Sequence, residues 1–419
     1  MSDIIQFSGL FNKNDIPYLN QAQLVYAYFE IRPGTAVANV RLPLNFSLAL
    51  DKSGSMGGSK IRQLRQAVSQ MIDQLQPTDY VSLIAFNERA ERLFPATTAH
   101  DKENLRRQLD RLQAGGGTTM APAMEAGLAE IARYAGPDKI SRLILLTDGQ
   151  TTGEKACREV AAQAGQQGVP IVALGLGTDW NENLLEELAQ RSGAAGYADL
   201  IKRPEEAAAV FQEVLASMKV VAQELTFRLL LVQGVEARRV WQVTPLIKDV
   251  SLGSILGATV AVSLSELSES GAAYLVELLI PPRNPGGYRF AQAEVLYDVP
   301  QRGLVGQKER LNMTLTVTTD PNAAQAVNGR VMNIVEKVTA FKLQTQALDE
   351  AAMGNIAGAT RKLRAAHTRL LEQGELDLAQ TVLQEAERLE QGQGLSDAGR
   401  KTMKLQSRKT VKLSDMELP

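Results

Sequence analysis

Residues 46–55 read Phe46-Ser47-Leu48-Ala49-Leu50-Asp51-Lys52-Ser53-Gly54-Ser55. The first five form a short, largely apolar run that suits a strand buried on both faces, and the last five break at once into acid, hydroxyls and glycine. A helix-spaced segment follows over 60–75, with Ile61, Leu64, Val68, Met71, Ile72 and Leu75 on one face. The alternation then repeats. Runs at 80–86, 142–147 and 169–176 read as further buried strands, and 104–112, 121–133, 155–166, 183–191 and 204–218 read as helices. Strands alternating with amphipathic helices predict an α/β fold, a doubly wound, mostly parallel sheet with helices on both faces. In such sheets the loops that leave the carboxyl ends of the strands do the work, which puts 51–55 at the working edge.

Two more pieces belong at that edge. Gly115-Gly116-Gly117-Thr118-Thr119 precedes the helix at 121–133, and Leu146-Thr147-Asp148-Gly149 ends a buried strand. With Asp51, Ser53 and Ser55 they supply two carboxylates and several hydroxyls. Such a set suits a hard divalent cation that keeps some of its water, Mg2+ first and Mn2+ or Ca2+ next. The chain offers little else for a metal. Its 419 residues include two histidines and one cysteine, too few for a histidine or thiolate site or a disulfide framework. Two carboxylates neutralise a dication, but neutral hydroxyls do not fill its octahedron with strong donors, so one position stays open to a carboxylate from outside. The helix starting near Ser59 turns its positive end toward the same edge, which favours an arriving anion. No histidine or spare glutamate in these motifs is placed as a general base, and Lys52 is protonated unless buried. The expectation is therefore a protein that is not an enzyme.

These residues resemble the metal-ion-dependent adhesion site of the von Willebrand factor A family, with the three motif pieces in the family's order over about 45–218. The resemblance implies that the hydroxyls of Ser53, Ser55 and Thr118 contact the metal directly, and that Asp51 and Asp148 hold it directly or through water. Thr119 is adjacent and chemically equivalent to Thr118, so loop geometry decides between them. The resemblance further implies a protein-interaction module in which a partner's aspartate or glutamate completes the metal's shell. The alternative is an adaptor subunit of a chelatase-type complex with an AAA+ ATPase, because the chain has no ATP-binding motif of its own. Gly54 to Lys60 superficially resembles a phosphate loop, but Ser59 stands where the second glycine belongs and Ile61 follows the lysine. There is no Gly-x-Ser-x-Gly elbow and no His-Glu-x-x-His, and His100 and His367 sit isolated in polar contexts as expected surface residues.

Outside 45–219 the texture changes. Residues 24–31 and 37–44 flank the turn signal Arg32-Pro33-Gly34 and read as a hairpin; segment 1–44 is expected to join a β-sandwich formed by 220–320. The strand-like runs there are 224–232, 240–243, 258–264, 273–280, 291–297 and 310–318. From 321 to 419 the chain reads as helical, with helices at 327–349, 356–372, 375–389 and 396–406 and a basic tail at 400–412. That tail lacks aromatic residues for base stacking, and a formal net charge of −2 attracts neither nucleic acid nor an acidic membrane. No apolar run approaches a membrane span, no secretory signal is expected at 1–5, and the single Cys157 is expected to be a packing residue. The layout resembles intracellular bacterial A-domain proteins, which implies a cytoplasmic location.

Overall fold

A computed structural model of the chain describes residues 4–36, 41–409 and 411. It divides into two compact units, one from 41 to 220 and one holding the described residues before and after that segment.

The first unit is built on a six-stranded sheet. Its strands run in the order Ala90–Thr98, Tyr80–Phe86, Leu44–Asp51, Ile140–Thr147, Ile171–Leu176, Tyr197–Ile201. All neighbours are parallel except the edge pair of Tyr80–Phe86 with Ala90–Thr98. Every residue of Leu44–Asp51 is buried, as a central strand covered on both faces requires. One face carries the helix Ser59–Gln74, which buries Ile61, Leu64, Val68, Met71 and Ile72 against the sheet. The helix Ala121–Ala132 approaches very closely: a Cβ added at Gly127 would lie 2.7 Å from Leu143 and 3.1 Å from the Ser47 hydroxyl, so only glycine fits there. From Leu44–Asp51 the chain moves outward on one side to Tyr80–Phe86 and Ala90–Thr98, then returns to Ile140–Thr147 on the other side. The loops after Leu44–Asp51 and Ile140–Thr147 therefore flank the point where strand order reverses, the usual place for a ligand crevice.

The second unit has two sheets. One is ordered Ile5–Phe11, Gln23–Pro33, Ala272–Ile280, Glu236–Thr244, Lys248–Asp249, and the other Ile255–Leu256, Thr259–Ser268, Val220–Leu231, Gly286–Val299, Leu304–Thr318, Asp15–Pro17. Residues of both sheets share one hydrophobic cluster. At its centre Phe227 stacks on Tyr274 with ring centroids 4.9 Å apart and meets Phe29 at 5.0 Å. Period-two alternation sends the next residues, Tyr28 and Leu275, to the opposite face of the first sheet. There they join Trp241 and Val243 in a second cluster with Val331, Ile334, Val335 and Val338 of the helix Gly329–Ala352. Buried Glu30 binds both Arg32 and Arg330, which ties the same helix to Gln23–Pro33. The helices Ile356–Glu372, Leu376–Glu390 and Asp397–Leu405 continue from there around a core of their own.

The expected hairpin of 24–31 with 37–44 does not form. Gln23–Pro33 pairs with Ile5–Phe11 on one side and with Ala272–Ile280 on the other, while Leu44–Asp51 belongs to the sheet of the other unit. Residues 37–40 lie outside the described residues. Ser8 and Gly9 interrupt the apolar pattern of Ile5–Phe11 and hide that strand, while Arg32-Pro33-Gly34 marks the exit from the sheet and not a tight reversal. Two edge strands, Ala90–Thr98 and Tyr197–Ile201, were also absent from the sequence pattern.

Because Phe227 is fully buried between the two sheets, Phe227→Ala is expected to cost about 3–5 kcal/mol, read as a lowered midpoint in urea denaturation.

Candidate metal centre

The register of the first unit brings its motifs together. Leu50 pairs with Leu146, so Asp51 and Thr147 sit side by side at the strand ends. The Thr147 hydroxyl donates to Asp51 Oδ2 at 2.6 Å, and the Ser53 backbone N–H donates to Oδ1 at 2.7 Å. Asp51 is wholly buried. Burial pushes its carboxyl above the ordinary aspartate range, against the opposing pull of the hydrogen bonds from Thr147 and Ser53, and nearby Asp148 adds to the rise.

From Asp51 the donors form a row. Ser53 Oγ lies 3.0 Å from Ser55 Oγ, and the Ser55 hydroxyl donates to Asp148 Oδ1 at 2.7 Å. The glycine-rich segment is locked beside this row by backbone pairing: the Gly115 N–H donates to Lys52 O at 2.7 Å, and the Gly54 N–H to Gly116 O at 2.8 Å. Gly116 adopts φ +89°, and a Cβ there would come within 2.4 Å of the Glu88 carboxylate, so the segment tolerates only glycine at this point. Asn87 fixes its far side, donating from Nδ2 to Gly115 O at 2.9 Å and accepting from the Thr119 N–H at 2.8 Å. Glu88 caps the Gly117 N–H.

The two threonines differ. Thr119 Oγ1 lies 3.1 Å from Thr152 Oγ1 and shares a hydrogen bond with it. Thr118 is half-buried and its carbonyl accepts from the Thr152 N–H at 3.2 Å. All five residues singled out in the sequence therefore lie at one sheet edge, Asp51 as the last residue of its strand and the others in the segments beyond the strand ends. Among the described residues no three histidine, cysteine, aspartate or glutamate side chains cluster as a metal nest, so a cation here would have to be held by hydroxyls and water beside the two carboxylates.

Three contributors escaped sequence reasoning. Thr147 lies inside a quoted motif, yet its hydroxyl acts on Asp51, 96 residues away. Asn87 carries no motif signal. Lys60 binds Asp148 Oδ2 with its ammonium, whereas Lys52 binds Glu91. His100 is exposed, while His367 is half-buried with Nδ1 2.9 Å from the Ala379 carbonyl. Cys157 is fully buried, and burial pushes its thiol up.

Residues 46–213 match the family model of the von Willebrand factor type A domain, and residues 329–413 match that of the Sll0103-like, C-terminal alpha-helical domain. The uncharacterized protein sll0103 of Synechocystis sp. is 28% identical over 381 residues, covering 88% of this chain and 89% of that protein. Inter-alpha-trypsin inhibitor heavy chain H4 of Homo sapiens is 32% identical over 164 residues; the match takes in 36% of this chain and spans only 18% of that protein. Among solved structures, a von Willebrand factor type A protein from Catenulispora acidiphila superposes with a TM-score of 0.71 at 20% identity over 98% of both chains. The ArnB paralog VWA2 from Sulfolobus acidocaldarius gives 0.55 at 14% identity, over 97% of this chain and 99% of that one. These two likenesses establish a shared fold. By the match of their family model, residues 46–213 form a von Willebrand factor type A domain.

The raised Asp51 carboxyl has a consequence for stability in chelator. A folded-state value above the unfolded one means that the ionised group weighs against folding at neutral pH, and that this penalty disappears as pH falls below the ordinary aspartate value. Asp51→Asn is therefore expected to melt higher than the wild type at neutral pH in EDTA, with the advantage shrinking on acidification. Thermal melts across pH 4–8 check both the sign and the trend.

Proposed function

We propose that the von Willebrand factor type A domain at 46–213 binds a divalent cation, Mg2+ first, through Ser53, Ser55 and Thr118 with Asp51 and Asp148, and presents it to an aspartate or glutamate of a partner protein. The observation that carries this reading is the convergence of the Ser53 and Ser55 hydroxyls and the Asp148 carboxylate in one row beside buried Asp51. The row shows 3.0 Å from Ser53 Oγ to Ser55 Oγ and 2.7 Å from Ser55 Oγ to Asp148 Oδ1. Thr118 rather than Thr119 completes the set, since the Thr119 hydroxyl shares a hydrogen bond with that of Thr152.

A bound dication would be held chiefly by neutral hydroxyls and two carboxylates, so it would stay electrophilic toward an incoming anion. The chain's residues supply the rest. Thr147 and the Ser53 N–H hold Asp51 in one orientation, and Asn87 and Glu88 hold the glycine segment so that the Thr118 hydroxyl stays in place. Among the described residues no helix is long and apolar enough to cross a membrane. The lone, buried cysteine supports a reducing, cytoplasmic setting.

Pull-down from native lysate tests this reading. A partner captured by the wild type in Mg2+ is expected to be lost, by about tenfold or more, both in EDTA and with Asp51→Ala. Capture that survives both treatments would contradict it.

A further inference from the structure

Asp148 has two partners, and one of them is a cation. We propose that Lys60 is a tethered competitor: its ammonium occupies Asp148 when no dication is bound, must leave when Mg2+ arrives, and so sets the Mg2+ concentration at which the site fills. This inference rests on the metal reading above.

The Asp148 side chain is fully buried, and its oxygens are divided between Ser55, which donates to Oδ1 at 2.7 Å, and Lys60, which donates to Oδ2. A buried carboxylate with no cation beside it is strongly unfavourable, so the Lys60 contact offsets the desolvation of Asp148 and orients it in the metal-free protein. A dication seated against Ser53 and Ser55 would face the ammonium across a single carboxylate, two like charges within a few ångströms. The repulsion is relieved if the lysine swings outward. Its side chain can do so, being 28% exposed at the end of a flexible four-carbon stem. Its place in the helix also favours departure. Lys60 is the second residue of Ser59–Gln74, where the helix end already carries partial positive charge, and the N-cap Gly58 brings no side chain to offset it. Lys52 provides an internal comparison. It lies next to Asp51 in the chain, but its ammonium rests on Glu91, which is 55% exposed, so it competes for neither proposed ligand.

Two measurements on the full chain decide the matter: calorimetric titration with MgCl2 of wild type, Lys60→Met and Lys52→Met, and acylation of surface lysines in the wild type with and without Mg2+, read by peptide mass spectrometry. Lys60→Met is expected to bind Mg2+ about tenfold more tightly than wild type, with Lys52→Met changing less than about threefold. In the wild type, Mg2+ is expected to raise acylation of Lys60 and leave that of Lys52 unchanged. Equal or weaker binding by Lys60→Met, the same tightening in both variants, or Lys60 acylation that does not rise with Mg2+ overturns the inference. The acylation arm needs no variant, so it stands even if Lys60→Met folds poorly. Mg2+ binding to none of the three proteins overturns the metal reading itself, and this inference with it.

Discussion

A carboxylate sits at the dry end of a central strand, and the arrangement around it follows from that constraint. Asp51 closes Leu44–Asp51, a strand flanked by parallel neighbours and covered on both faces, so the chain has no means of leaving this side chain in water. Hydrogen bonds from Thr147 and the Ser53 N–H offset the desolvation only in part, since the carboxyl remains raised. A wholly apolar or neutral residue there would make a simpler core. The buried charge makes physical sense as half of a pair whose other half is a cation, and the remaining pieces of the edge conform to that: hydroxyls in a row, a glycine segment that passes within backbone hydrogen-bonding distance, and an ammonium on the second carboxylate.

The second unit follows a different rule. Its strands alternate, so the Gln23–Pro33 and Ala272–Ile280 pair serves two cores at once: Phe29 and Tyr274 face the other sheet, while Tyr28 and Leu275 face the helix Gly329–Ala352. The N-terminal strands are indispensable to this arrangement, because Gln23–Pro33 lies between Ile5–Phe11 and Ala272–Ile280. The unit is thus assembled from chain segments on either side of the von Willebrand factor type A domain. The C-terminal helices begin on this sheet's outer face and extend from it as a packed series.

What the sequence made legible was what depends on local pattern. Strands buried on both faces announce themselves as apolar runs, and Tyr80–Phe86 has the bounds its composition suggests. Edge strands do not: Ala90–Thr98 carries Glu91 and Arg92 among its residues, and Tyr197–Ile201 is only five long. The oxygen row was readable because Asp51, Ser53, Ser55 and Asp148 lie within a few residues of a strand end and Thr118 directly follows a glycine run. Thr147 and Lys60 were not, because their roles depend on partners 96 and 88 residues distant. Lys60 had in fact drawn notice as the lysine of a phosphate loop whose spacing failed; its meaning came from Asp148, which no local reading connects to it. Of Thr118 and Thr119, which composition left even, Thr119 has its hydroxyl hydrogen-bonded to that of Thr152.

The claim on which the functional account stands is that the row of oxygens at this sheet edge binds a dication. A crystal of the protein grown with MnCl2, with data collected near the manganese absorption edge, addresses it directly. The account predicts one strong anomalous peak about 2.1–2.3 Å from the hydroxyls of Ser53 and Ser55 and within direct or water-bridged reach of Asp51 and Asp148. No peak at this edge in a crystal bathed in millimolar Mn2+, or a peak held by other residues, would contradict it.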